Sequence, residues 1–349
     1  MINIIQNLGV YSGKSTIYGD AHWILCEGVL LSLGTLKKAT VSLLMLAAIL
    51  LVRDYWTEIL PLLEESWNIL SETRGIYVFL ASSAYLLSVY FFAVRWQQVL
   101  SSVGYNLKAV NLLPIMFGSA FVNNITPASR TGGESLRIVW ANRSFGITYT
   151  HGLITILFER LVEAIPVAML FVYVLYLSPS FESLLLLQRK ILPLDPSILW
   201  VLILLGAGIG AWVLLRKSSS IIRKLYQDWR QMNRSFAPVL LLSFGVWGLD
   251  VIRLKLVASA LSLPLSMDII ILFSVLYLLL GCLSITPGGL GIVEGGLVSL
   301  LLYFGLSPAS AGSFVFLERI VSYGLSSLIG VLYLFYYGGF KVWKDTKSH

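Results

Sequence analysis

Charge is what this chain has least of. Asp, Glu, Lys and Arg make up 12% of its 349 residues, about half of the ~25% usual in soluble domains, while 57% of residues are hydrophobic. So few charges cannot cover a soluble surface of this size, so most of the exterior must face lipid. Histidine is almost missing: His22, His151 and His349 are the whole set, which excludes a His-Glu-x-x-His zinc site. Ser284 would need the terminal His349 as its base, so a serine hydrolase is not expected. The two cysteines, Cys26 and Cys282, have no metal or redox spacing. There is no Walker motif, no clustered pair of aspartates and no soluble segment long enough for a nucleotide-binding domain. The composition therefore points to a polytopic membrane protein that is not an enzyme and needs no cofactor. The formal net charge of +7 is explained by basic cytoplasmic loops rather than by a nucleic-acid partner.

What is present is apolar and long. A spanning helix needs ~20 mainly apolar residues, and segments 39–56, 75–98, 150–177, 197–215, 237–261 and 309–337 qualify. Two further apolar regions, 109–145 and 268–305, are each broken near the middle, by Asn123 to Glu134 and by Ser284 to Gly291. Proline removes a backbone donor and glycine costs the most backbone entropy, so a helix should end at each break. Irregular backbone at membrane depth is tolerated only inside protein or beside a wet cavity. These regions are expected to form re-entrant helical hairpins, with paired short spans as the other arrangement. Lys37, Lys38, Lys108 and Arg143, the basic run Arg216 to Arg234 and Lys341, Lys344 and Lys347 fall on one side, opposite Glu58, Glu64, Glu65 and Glu72. By the positive-inside rule both termini are expected in the cytoplasm, and the protein in the cell membrane.

The two breaks belong to a longer repeat. Ile125-Thr126-Pro127 aligns with Ile285-Thr286-Pro287, and Glu134 with Glu294, at an offset of 160. Glu159-Arg160 aligns with Glu318-Arg319 at 159, and Arg95 with Arg253 at 158. The domain organisation is then an N-terminal extension (1–35), a first repeat (36–177), an external linker (178–196), a second repeat (197–337) and a cytoplasmic tail (338–349). Each repeat holds three spans and one hairpin, so the second copy is inverted. The expected fold is all-α, with six spans and two re-entrant hairpins. Inverted repeats with broken helices at matched positions point to a transporter site near the bilayer midplane.

Glu159 and Arg160 lie about ten residues into their span, or ~14 Å, close to the centre of a ~30 Å hydrocarbon core. Glu318 and Arg319 sit equally deep from the other side. A lone charge there costs ~2.5–3.5 kcal/mol even on the lenient scale, so these groups must be paired or wet. Sequence neighbours are ~100° apart on a helix, so Arg160 is expected to meet Glu134, and Arg319 to meet Glu294. Arg95, Arg130, Arg137 and Arg253 are then left as donors for an anionic group, which a guanidinium grips bidentately. Half-helix N-termini opened by Thr126-Pro127 and Thr286-Pro287 would point backbone N–H groups at the same place. The substrate-binding set is thus Arg95, Thr126, Arg130, Glu134, Arg137, Glu159, Arg160, Arg253, Thr286, Glu294, Glu318 and Arg319.

The pattern Asn124-Ile125-Thr126-Pro127, Gly132-Gly133-Glu134, Arg137, Phe158-Glu159-Arg160, then Thr286-Pro287-Gly288-Gly289-Leu290-Gly291, Glu294 and Leu317-Glu318-Arg319 resembles the flippase-like membrane domain of the lysylphosphatidylglycerol synthase family. The resemblance covers about 36–340. It implies a module with two re-entrant hairpins that moves lipids between leaflets, its relatives being linked with aminoacylated phosphatidylglycerol or lipid-linked sugars. The two-part synthases continue into a soluble aminoacyl-transferase domain, whereas this chain stops soon after its last span, so lysyl-lipid synthesis is not expected. Leu290 and Leu297 stand where the first repeat has Arg130 and Arg137, so an anion site should be asymmetric. The leading expectation is a flippase for an anionic, phosphate-bearing lipid, glycosylated or polyprenyl lipids included. Its partners are membrane lipids, not nucleic acid, and a homo-oligomer is compatible with the sequence. The alternatives are a secondary transporter of a soluble anionic metabolite, with Glu159 or Glu318 coupling protons, and a non-transporting membrane assembly partner.

Overall fold

A computed structural model describes residues 59–126, 131–180, 229–284 and 286–337. The expected spans 39–56 and 197–215, the extension 1–35, most of the linker, Arg130 and the tail lie outside the described residues. The chain divides into two compact units, Met1–Glu64 and Glu65–His349. In the first, residues 59–64 are helical. In the second, residues 65–71 are helical where the sequence reading left an acidic loop. Ser66, Ile69 and Leu70 there are partly buried, a helical spacing that the acidic residues around them obscured.

Among the described residues every regular element is a helix. In chain order they are α1 (Gly75–Ser102), α2 (Ala109–Ile125), α3 (Thr131–Phe145), α4 (Tyr149–Leu177), α5 (Phe236–Ala260), α6 (Met267–Leu283), α7 (Ile292–Tyr303), α8 (Pro308–Arg319) and α9 (Leu325–Tyr336). A π-helical turn, Ile320–Gly324, joins α8 to α9 into one apolar run, Pro308–Tyr336. This run, α1, α4 and the run Trp229–Ala260 that ends in α5 are long and apolar enough to cross a membrane. Hydroxyl caps start several helices. Thr148 accepts from the His151 amide at 3.3 Å and Ser307 from the Ser310 amide at 3.2 Å, with Pro308 in the first turn of α8. The protein is an all-α, multi-pass membrane protein.

Its helices are amphipathic in the inverse sense. On α4, Leu153, Leu157, Leu161, Ile165 and Met169 face outward at four-residue spacing, while Thr155, Glu159 and Glu163 are buried. In water this arrangement would be untenable, and in lipid it is the favourable one.

The two interrupted regions fold as helix pairs. In the first, a Cβ on Gly118 would meet Trp140 and one on Gly133 would meet the Ser119 carbonyl oxygen at 2.2 Å, contacts that run in opposite senses along α2 and α3. The Gly133 amide also donates to Asn123 Oδ1 at 2.8 Å. In the second, Gly296 of α7 lies against Leu280 of α6.

The pairs pack crosswise. α1 and α5 form the most extensive helix–helix contact among the described residues, while α2 packs on α9 and α6 touches α4. Small residues permit these approaches, as is usual between helices in lipid. A Cβ on Gly330 would lie 2.3 Å from the Phe117 carbonyl oxygen and 2.7 Å from Phe121 Cβ. Neither atom can move without moving α2. Gly330→Ala is therefore expected to cost ~1–3 kcal/mol through overpacking. Thermal unfolding in detergent, beside Gly312→Ala, where no atom lies within 4 Å of the added Cβ, provides the check.

Candidate functional site: a charge network beside a cavity

Glu159 lies ten residues after Tyr149, in the N-terminal half of α4. Glu163, one turn on, shares its face. Arg95 of α1 reaches both, with Nε 3.3 Å from Glu159 Oε1 and Nη2 3.2 Å from Glu163 Oε2, and its Nη1 donates to Ser243 Oγ of α5 at 3.1 Å. Arg137 of α3 closes on the other Glu159 oxygen at 2.5 Å and stacks on the Trp96 ring, 3.9 Å from its centroid. Arg160 bridges Glu163, at 2.9 Å, and Glu134. Three arginines thus answer three glutamates. Arg95 and Glu159 are each 1% exposed, so only mutual pairing makes their burial tolerable.

The second half repeats the theme. Arg253 of α5 pairs with Glu318 of α8 at 2.5 Å and with Asp250, one turn earlier, at 2.6 Å. Ser322 donates to Glu318 Oε1 at 2.8 Å and Ser274 to Asp250 Oδ2 at 2.8 Å. Arg319 Nε lies 2.8 Å from Glu294 Oε1, while Glu294 Oε2 accepts the Gly291 amide at 2.6 Å, bracing the start of α7. Two ion pairs therefore recur at offsets of 158 to 160 residues: Arg95–Glu159 as Arg253–Glu318, and Arg160–Glu134 as Arg319–Glu294.

A cavity of about 320 Å³ lies among these elements. α1 contributes Ser88 and Phe92, α2 contributes Asn123 and Asn124, and α4 contributes Arg160 and Glu163. From the second half come Trp247, Asp250 and Arg253 of α5, Tyr277 of α6, Gly288 and Gly289 of the break, and Arg319, Ser322 and Tyr323. Both breaks meet at its wall. Tyr323 donates its hydroxyl to the Asn124 carbonyl at 2.7 Å, Asn124 Nδ2 donates to Ser327 Oγ at 2.9 Å, and a Cβ on Gly288 would sit 2.5 Å from that same Asn124 carbonyl oxygen. The π-helical turn that carries Tyr323 directly follows Arg319, and such turns inside α-helices are frequent at functional sites.

Of the twelve residues singled out from the sequence, Arg160, Arg253 and Arg319 line the cavity. Glu134, Glu294 and Glu318 hold those three arginines from behind, and Arg95, Arg137 and Glu159 form the enclosed remainder of the network. The threonines do other work. Thr126 sits at the C-terminal cap of α2, where its hydroxyl donates to the Val122 carbonyl at 2.7 Å, and Thr286 lies 3.0 Å from Ser284 Oγ. Thr286 with Pro287 opens a single 3-10 turn, Pro287–Gly289, ahead of α7, and residues 127–130, between Thr126 and the first described residue of α3, lie outside the described residues. Arg95, Arg137 and Arg253, expected as surplus donors, are instead engaged by carboxylates. Beside Glu159 and Glu318, two carboxylates not singled out from the sequence complete the engagement, Glu163 and Asp250. Each lies one helical turn from a residue already singled out, Glu159 and Arg253, and that spacing was the available signal. Among the described residues no group of three or more His, Cys, Asp or Glu is placed to hold a metal ion.

Comparison with known proteins agrees with this architecture. Over 284 residues the chain is 25% identical to a UPF0104 membrane protein of Pyrococcus horikoshii, covering 73% of this chain and 85% of that relative. It is 24% identical over 296 residues to a UPF0104 membrane protein of Methanothermobacter thermautotrophicus (77% of this chain, 88% of the relative). A UPF0104 membrane protein of Methanocaldococcus jannaschii is likewise 24% identical over 296 residues, with 77% and 87% covered. Residues 45–330 match the family described as lysylphosphatidylglycerol synthase TM region, a stretch that holds all the ion pairs above, and the chain belongs to that family.

Proposed function

We propose that the protein carries a phosphate-bearing lipid head group across the bilayer. The observation that carries this reading is the cavity itself. It carries Arg160, Arg253 and Arg319 beside carboxylates and hydroxyls, and both broken helix pairs contribute to its wall, in a chain whose outer faces are apolar. A hydrated cavity at a helix break is where a membrane protein can take a head group that lipid tails exclude. The recurrence of two ion pairs at near-constant offset supports two repeats of inverted topology, with 109–145 and 268–305 as re-entrant hairpins. Rocking of one repeat against the other would expose the cavity to each leaflet in turn. The family description names a phosphatidylglycerol derivative, in keeping with a phosphodiester-bearing lipid. In this reading the protein sits in the cell membrane with both termini cytoplasmic, and the chain transports rather than catalyses.

The test is leaflet-selective chemical quenching of labelled phosphatidylglycerol, phosphatidylethanolamine and polyprenyl phosphate in reconstituted vesicles. The transbilayer rate of at least one should rise severalfold over protein-free vesicles. Rates that stay at the protein-free value for all three reject lipid transport and leave a soluble anion as the cargo.

A further inference from the structure

The two halves treat their repeat-related cavity arginines differently. Arg160 is held by two carboxylates, Glu134 and, three residues along α4, Glu163. Arg319 keeps the counterpart of the first, Glu294, but the counterpart of Glu163 is Ser322, whose hydroxyl is turned to Glu318. Arg319 Nη1 donates to Tyr277 Oη at 3.1 Å and the guanidinium carbon lies 5.2 and 5.6 Å from the Tyr277 and Tyr323 ring centroids, whereas Nη2 is enclosed and, among the described residues, has no hydrogen-bond partner. An enclosed guanidinium nitrogen without an acceptor is costly, since a donor on a charged group loses its water and gains nothing. In the first half a glutamate removes that cost. In the second half the cavity is bounded by both Arg319 and Ser322, and its wall carries a second enclosed donor without an acceptor, Trp247 Nε1.

We propose that Arg319 binds a single phosphate-class oxyanion of the cargo, in the place that the Glu163 carboxylate takes beside Arg160. This rests on the reading of the cavity as a head-group site and deepens it. One half closes its arginine with its own side chain, and the other leaves the equivalent arginine for the ligand to close. The binding element is therefore one monoanionic subsite in the second half rather than a basic cluster shared by both. The oxyanion chemistry is common to a lipid phosphodiester and to inorganic phosphate.

The discriminating variant is Ser322→Glu, which supplies in cis the carboxylate that the first half already has. Glu159 and Glu163 coexist at the same four-residue spacing, so a glutamate four residues after Glu318 has a precedent within the chain. The full-length protein in neutral detergent is titrated with inorganic phosphate, phosphatidylglycerol and, as an uncharged control, diacylglycerol, with thermal stabilisation as the readout. Wild type should respond to phosphatidylglycerol and not to diacylglycerol. A response to inorganic phosphate as well assigns the source to any phosphate that reaches the cavity from water, and its absence assigns it to lipid. Ser322→Glu should melt no lower than wild type and bind about tenfold or more weakly, the value of one charged hydrogen bond. Arg319→Gln should weaken binding equally. Equal wild-type responses to diacylglycerol and phosphatidylglycerol overturn the subsite. So does a folded Ser322→Glu protein with unchanged affinity; where that variant does not fold beside the buried Glu318, Arg319→Gln decides, and unchanged affinity in it overturns the subsite. Lipid exchange measured on the same proteins separates the two readings. Wild type that binds the anion but moves no lipid rejects transport alone, and exchange that Ser322→Glu leaves intact rejects the subsite alone.

Discussion

Glu159→Leu is expected to leave little folded protein at temperatures where the wild type is intact. Among the described residues its carboxylate is the sole one within ion-pair distance of Arg137 and one of two on Arg95, and all three side chains are at most 8% exposed. Removing it strands a guanidinium away from water and half-strands another. Breaking a buried ion pair from one side costs ~3–5 kcal/mol, against a total stability of ~5–15 kcal/mol for a domain. Glu159→Gln keeps the volume and one acceptor oxygen and should lose less. Glu134→Ala is the contrast. Arg160 remains on Glu163 and its side chain is 39% exposed, so the loss should stay near ~1 kcal/mol, as for partly solvated pairs. Melting temperature and the monodisperse fraction in detergent measure all three. Equal losses for Glu159→Leu and Glu134→Ala would mean that burial of the network is not what makes it matter.

Gly288→Val should be the most damaging single change at the cavity wall, for two separable reasons. The residue has φ +60, a region that a β-branched side chain tolerates poorly, at ~1–3 kcal/mol. A Cβ there would also lie 2.5 Å from the Asn124 carbonyl oxygen and 2.7 Å from the Tyr323 ring, and the hydrogen bond between those residues fixes both. Overpacking against them adds ~1–3 kcal/mol. Gly291→Val separates the contributions, because its φ is +84 and nothing lies within 4 Å of the added Cβ. Gly288→Val should therefore melt below Gly291→Val, and its lipid exchange should fall to the protein-free rate even where it stays folded. Identical melting curves for the two would show that the breaks do not meet closely enough to matter.

The spans and the breaks were legible because they depend on local chemistry. The expected 150–177 is Tyr149–Leu177, 309–337 is Pro308–Tyr336, and the broken region 109–145 holds α2 and α3, while 39–56 and 197–215 lie outside the described residues. The pairs Arg160–Glu134 and Arg319–Glu294 were also legible, since charges at depth must find partners and few were on offer. The donors expected for an anion were not. Arg95 and Arg253 looked unpaired because their partners Glu159 and Glu318 lie more than sixty positions away on other helices, and Glu163 and Asp250 have no repeat counterparts to mark them. Thr126 caps the helix that ends before it, while Thr286 with Pro287 starts a short 3-10 turn.

By itself, then, the sequence determined that the chain is a helical membrane protein, where its helices run and break, and that it carries matched charges at matched positions in two halves. Those properties follow from hydropathy, from proline and glycine, and from the cost of an unpaired charge in hydrocarbon, all of which act along the chain. Only the tertiary structure decided which donors of the arginines are taken, Arg137 Nε and Arg319 Nη2 being enclosed without a hydrogen-bond partner among the described residues. That depends on whether one carboxylate or two converge on each guanidinium. Convergence is set by the packing of α1 on α5 and of each broken pair on the far half, which brings together residues more than sixty positions apart, such as Arg95 with Glu159 and Arg253 with Glu318.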